Sequence, residues 1–260
     1  MSRLAVVNTL SQDEKILLLH QLMNELLPTG EVTYPQRQNG KIMPTIAEEA
    51  ADYEVSTPRT FQDYFKLNLP SEQIAAMLGY TYRRQALNLA EVPVSSDVID
   101  AGRLANLLER IDEGLQHVGM YSEMARREFM IAPTLLETIH YTKAHLWVEY
   151  NIKASDSLQG SLDYLLRSKQ QLLVVEAKQG DLQRGFHQLM AELAALDLQD
   201  MTNSEQLFGI VSMGDGWQFG RLDRSNKLIT QDTEHYGIPI NIELLIKIMI
   251  GILQRNEHAN

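Results

Sequence analysis

Three residues in one short stretch have the types and spacing for phosphate chemistry. Asp163 lies in the run SLDYLL, Glu176 and Lys178 lie in QLLVVEAK, and a polar break at residues 167–170 separates the two runs. Both runs are rich in branched apolar residues, so the pattern predicts an antiparallel hairpin. With the turn centred on Lys169 and Gln170, Asp163 falls opposite Glu176, whereas a slip of one residue would send them to opposite faces. Glu176 and Lys178 are two apart and share a strand face. The segment Leu172–Val175 is continuously apolar, which predicts a strand covered on both sides. Charges at the end of such a strand need partners, and two adjacent carboxylates repel unless a cation lies between them. A hard divalent ion with oxygen ligands, Mg²⁺ or Mn²⁺, suits that pair, and the lysine could position a water or balance charge on a phosphate. The same spacing also fits a surface hairpin laced with salt bridges.

The elements around this hairpin divide the chain. Residues 1–118 read as a mostly helical region and residues 119–260 as an α/β domain with a mixed sheet. In the first region, Leu10–Leu27 has the period of an amphipathic helix with Ser11 and Glu14 as a capping box, a surface that could pair two subunits. Gly30–Pro44 reads as an irregular linker and Ala47–Val55 as a short helix. Residues 60–89 read as helical, with residues 71–89 patterned either as a helix-turn-helix or as an ordinary helical hairpin. A further helix is expected over Ser96–His117, ending at Gly119.

In the second region, Ser122 can cap a helix at Glu123 that Pro133 would break or kink. Ala144–Ala154 reads as a strand and the hairpin follows it. Asp181–Leu198 reads as a helix striped by Leu182, Phe186, Leu189, Leu193 and Leu196. Gly185, Gln188 and Glu192 lie off that stripe, on a face that could look back at the hairpin. Gln206–Leu222 is a second hairpin turning at Asp215-Gly216, and Ile238–Leu253 a closing helix. Trp147 and Trp217 read as sheet or core residues, and the seven histidines show no metal spacing.

Composition sets limits. The chain has 260 residues, no cysteine and a net charge of -11. Residues 1–118 carry −6 and residues 119–260 carry −5, so neither part is a basic, charge-driven nucleic-acid binder. The lack of cysteine removes disulfides and thiolate metal sites and agrees with a reducing, cytoplasmic setting. Neither a signal peptide nor a membrane span is expected.

The element order and the Asp163, Glu176-Ala177-Lys178 set resemble the PD-(D/E)xK, or restriction-endonuclease-like, nuclease superfamily, over residues 119–255. The segment EMARREFMIAPTLL, with Glu123, Arg127, Ile131 and Pro133, is similar to the first helix of the nuclease domain in type I restriction motor subunits. Gln188 matches the glutamine of a trailing Q-x-x-x-Y motif, with Glu192 at the tyrosine position. FGIVSMGDGWQFGRL looks like the closing strand pair of small standalone relatives, many of them cyanobacterial. Leu162 replaces the usual proline, and Ala132 stands where an aspartate is common.

The resemblance implies a Mg²⁺- or Mn²⁺-dependent nuclease that hydrolyses phosphodiester bonds of nucleic acid, DNA first; a homodimer is expected from the apolar helix at Leu10–Leu27 and the need for two sites to cut both strands. It implies that Asp163, Glu176 and the Ala177 carbonyl bind the metal, joined by Glu123 directly or through water. Lys178 would orient the attacking water, and Gln188 would support the site or contact the phosphate. Read as single residues, Glu123 also suits a first-turn acid and Gln188 a solvated helix face. Arg126 and Arg127 could touch a phosphate or pair with Glu123 or Glu128. The competing function is a non-catalytic, nucleic-acid-associated or assembly protein that keeps the fold.

Overall fold

The structure, a computed structural model, describes residues 37–38, 41–42, 58–89, 98–169, 171–178 and 180–255. The segments Leu10–Leu27 and Ala47–Val55 lie outside them. The chain divides into two compact units, Met1–Ser56 and Thr57–Asn260. In the first, strands β1 (Arg37–Gln38) and β2 (Lys41–Ile42) pair antiparallel within the segment expected to be irregular, with Gln38 opposite Lys41.

The second unit is built on an eight-stranded mixed sheet. Its helices are α1 (Phe61–Lys66), α2 (Ser71–Met77), α3 (Ala101–His117), α4 (Glu123–Arg126), α5 (Ala132–Thr142), α6 (Leu182–Gln199) and α7 (Ile242–Gln254). Its strands are β3 (Thr81–Arg84), β4 (His145–Ser155), β5 (Leu158–Arg167), β6 (Leu172–Ala177), β7 (Gln206–Ser212), β8 (Gly216–Asp223), β9 (Leu228–Gln231) and β10 (Tyr236–Gly237). The spatial order is β3-β9-β8-β7-β6-β5-β4, with β10 also on β8. The β4-β5-β6 meander is antiparallel, β6 and β7 are parallel across α6, and β3 joins β9 in parallel. Elements within residues 58–89 and 98–118 therefore pack with the sheet. Among the described residues no helix is long and apolar enough to cross a membrane.

The central strand β6 is buried at every residue. Leu173, Val175 and Ala177 face a core that includes residues of α3, α5 and α7, while Leu172 and Val174 face a core that includes residues of α1, α2 and α6. Alternation fails in β6 because both faces are covered, and that coverage is why the strand reads as an unbroken apolar run.

Three local expectations change. Residues 71–89 form neither a helix-turn-helix nor a helical hairpin. Gly79, at φ 86°, ends the turn after α2, and Thr81–Arg84 then extend as a strand whose partner, Leu228–Gln231, lies far along the chain. Pro133 does not break its helix, because a π-helical turn at Arg127–Ile131 leads into α5 with the proline in its first turn. The wider turn leaves room for the ring and for the missing amide. The helix expected from Ser96 starts at Ala101, capped by the Asp100 side chain on the Arg103 amide.

Asp197, near the end of α6, ties this edge together. It accepts from Tyr80 Oη at 2.6 Å, Arg224 Nε at 2.7 Å and Lys227 Nζ at 2.7 Å. Burial works against its charge, but these three bonds outweigh it and hold the carboxyl below the ordinary range. Asp197→Asn is expected to lower stability by about 3 kcal/mol, read from the urea midpoint. A depressed folded value places this stabilisation above the unfolded pKa, about 3.9, and removes it as pH falls through the folded one. The gap between wild type and variant should therefore close on acidification.

Candidate functional site

The ladder of β5 and β6 pairs Tyr164 with Val175, and one further step in that register sets Asp163 across from Glu176, at the end where β6 meets the start of α6. Glu176 continues the face of Leu172 and Val174 and points at α6. It is 1% exposed. Its Oε1 receives Gln188 Nε2 at 2.6 Å and is ion-paired with Lys178 Nζ. The same Gln188 amide donates to Glu192 Oε1 at 3.0 Å. Residues 188 and 192 are one helical turn apart, so both meet the strand end. Asp163 Oδ2 accepts from the Ala177 amide at 2.9 Å, which fixes its carboxylate against the end of β6.

The lysine is placed by close packing. Its amide donates to Ser212 O at 2.8 Å, and its ammonium lies 5.4 Å from the centroid of Phe65. Gly185, in the first turn of α6, faces the lysine stem. A Cβ there would lie 3.0 Å from Lys178 Cγ and 2.7 Å from Val211 Cγ1. Only a residue without a side chain lets α6 come this near.

With both acids ionised, Glu176 Oε2, Glu192 Oε2 and Gln188 Oε1 have no hydrogen-bond donor, and a proton on either acid bonds the two carboxyls to each other. Burial, then the charges of Glu192 and Asp163, push the Glu176 carboxyl well above its ordinary value. Burial likewise raises Glu192, to about 7. The two titrate as a pair. Burial disfavours the Lys178 charge, but the attraction of Glu176, Asp163 and Glu123 outweighs it and raises the ammonium.

The remaining candidates are placed as follows. Glu123 is the first residue of α4, after the Ser122 cap whose hydroxyl accepts the Ala125 amide, and lies within electrostatic reach of Lys178. Arg127 pairs with Asp163 at 3.5 Å and Glu149 at 3.6 Å and stacks on Tyr164, so its expected partners Glu123 and Glu128 are not the ones it takes. Its side chain is 11% exposed, which leaves little of it to meet a phosphate. Arg126 donates to the carbonyls of Met120 and Met213. His187 is buried, with Nε2 at 3.1 Å from Ser71 Oγ. Glu192 is the participant that the residue pattern alone left unassigned; its spacing of four from Gln188 was the available signal.

Among the described residues no three His, Cys, Asp or Glu side chains group to hold a metal by themselves. The donors present are the Asp163 and Glu176 carboxylates and the Ala177 carbonyl. Hard divalent ions accept such a set and complete it with water, and the unpartnered Glu176 Oε2 is the feature that fits. No family model matches the chain, and no curated protein matches its sequence.

Two outcomes follow from this geometry. Gly185→Ala should push Lys178 or Val211 aside and lower stability by about 1–3 kcal/mol, measured by chemical denaturation. In EDTA, the native Glu192 keeps a proton that the unfolded chain releases near its ordinary 4.5. Stability should therefore fall as pH rises from there to about 7, and Glu192→Gln should flatten that slope.

Proposed function

We propose that this chain is a divalent-metal-dependent nuclease of the restriction-endonuclease-like type that hydrolyses phosphodiester bonds of DNA. The observation that carries the reading is the buried Glu176 carboxylate, with one oxygen on Lys178 and Gln188 and the other without a partner, beside the fixed carboxylate of Asp163. Folding alone does not call for that arrangement. Further support comes from the order helix, three-strand meander, helix and parallel strand, which is the core expected of that superfamily.

Asp163, Glu176 and the Ala177 carbonyl would hold Mg²⁺ or Mn²⁺, with Glu123 in reach through water. Such an ion supplies Lewis acidity toward the scissile phosphate. Lys178 donates to the attacking water and balances the charge that builds on the phosphate oxygens. Gln188 fixes Glu176 by donating to it, and Arg127 fixes Asp163. The water oxygen forms the new bond to phosphorus as the opposite P–O bond breaks. The water gives up a proton, and the leaving oxygen takes one up.

One observation favours the non-catalytic alternative. Both cations beside the carboxylates, Arg127 and Lys178, are engaged internally, at 11% and 14% exposure.

Thermal melting with and without Mg²⁺, joined to plasmid and oligonucleotide cleavage, separates the readings. The wild type should be stabilised by about 2.7 kcal/mol at 100-fold excess of metal over its Kd, and Asp163→Ala should lose the response. Lys178→Ala should keep the metal response while cleavage drops by about 100-fold or more. A wild type with neither metal response nor cleavage would contradict the proposal. A metal response without cleavage of any nucleic acid would favour the non-catalytic reading.

A further inference from the structure

At the other end of β7 the same sheet turns from apolar to cationic. Leu166, Leu173, Phe208, Arg221, Thr230 and Arg83 are register partners in turn across β5, β6, β7, β8, β9 and β3. Register partners share a face, and the first three belong to the core that α7 covers. Past Phe208 that row carries Arg221 and Arg83 with one threonine between them. Adjacent strands are about 4.8 Å apart, so the two arginine Cα atoms lie about 10 Å apart, within reach of one shared ion.

A third arginine joins them. Arg255 follows α7 and donates from Nη1 to Gln206 Oε1 at 3.0 Å. Gln206 is the register partner of Asp223, two residues along β8 from Arg221 and on the same face.

This cluster carries an excess of positive charge. Among the described residues Arg221 makes none of the ion pairs, and its buried Nε has no hydrogen-bond partner. Asp223 is a carboxylate whose charge favours the Arg221 proton, and Ser225 and Asn226 bond both its oxygens. Burial works most strongly against the Arg221 proton; the Asp223 charge opposes that effect, and the charges of Arg255 and Arg83 add to it. A half-buried guanidinium flanked by two others is unfavourable unless an anion joins it. Three guanidiniums against one carboxylate leave a charge of about +2, which a dianion neutralises, and the planar fork of arginine matches the oxygens of phosphate.

We propose that Arg221, flanked by the exposed Arg83 and Arg255, forms an oxyanion site for a phosphate dianion, free or as a terminal phosphomonoester. It is distinct from the carboxylate site. Lys178 bonds Ser212 at the far end of β7, six residues and about 20 Å of strand away from Gln206. It also does not depend on the nuclease reading.

The test is thermal melting of the full chain in EDTA, comparing inorganic phosphate with chloride at equal ionic strength, for wild type, Arg221→Met and Arg83→Gln. The wild type should show a saturable rise in Tm specific to phosphate. Arg221→Met should be no less stable than wild type without phosphate, since it removes an unpaired charge, and should not respond. Arg83→Gln should bind phosphate about tenfold more weakly. Adenosine 5′-monophosphate then separates the sources: tighter binding than inorganic phosphate assigns a terminal phosphomonoester, and weaker binding assigns the free ion. No phosphate-specific shift in wild type, or an unchanged shift in Arg221→Met, would overturn the proposal. If Arg221→Met is destabilised, Arg83→Gln decides: a wild-type phosphate response there also overturns it.

Discussion

A carboxylate buried at the end of a strand covered on both faces is the constraint from which the rest of the site follows. Glu176 sits one residue beyond Val175 in a strand whose every residue is buried, so water cannot solvate it. The protein answers with Lys178, Gln188 and the nearby Asp163, and each answer fixes another element. Gln188 draws in α6. Lys178 needs Gly185 so that the helix can lie against its stem. Asp163 is locked by the Ala177 amide. One oxygen on each of Glu176 and Glu192 meets no donor other than a proton the two acids can share, and two ionised acids left in that state are what a bound cation would relieve.

Glu192 adds a second buried acid where a single one is already unfavourable. Burial raises both carboxyls, the Glu192 charge pushes Glu176 up further, and the shared Gln188 amide binds the two into one unit. The lysine charge is strengthened by the same negative surroundings. The buried acids therefore cost stability, and α6 is the element that carries this cost, since it presents Gly185, Gln188 and Glu192 from one helix.

Much of this was legible in the residues because the relevant contacts are local or periodic. The polar break at residues 167–170 centred the hairpin and thereby set Asp163 opposite Glu176. The four-residue spacing on α6 put Gln188 and Glu192 on a common face, and Asp215-Gly216 marked the second turn. What stayed hidden depends on distant partners. Thr81–Arg84 is a strand only because Leu228–Gln231 lies beside it, and a four-residue run has too little pattern to announce that. Arg127 chose Asp163 and Glu149 over its helical neighbours. Glu149 sits at φ 54°, a local departure from strand geometry that no periodicity reveals. The π turn at Arg127–Ile131 before Pro133 likewise has no periodicity signal of its own.

The central claim is that the unpartnered oxygen of Glu176 and the carboxylate of Asp163 together bind a divalent cation. Anomalous diffraction from crystals grown with Mn²⁺ tests it most directly. A single anomalous peak bonded to Glu176 Oε2 and to a carboxylate oxygen of Asp163 is the predicted result. Well-ordered crystals at saturating Mn²⁺ with no peak there, and Glu176 still closed onto Lys178, would contradict it.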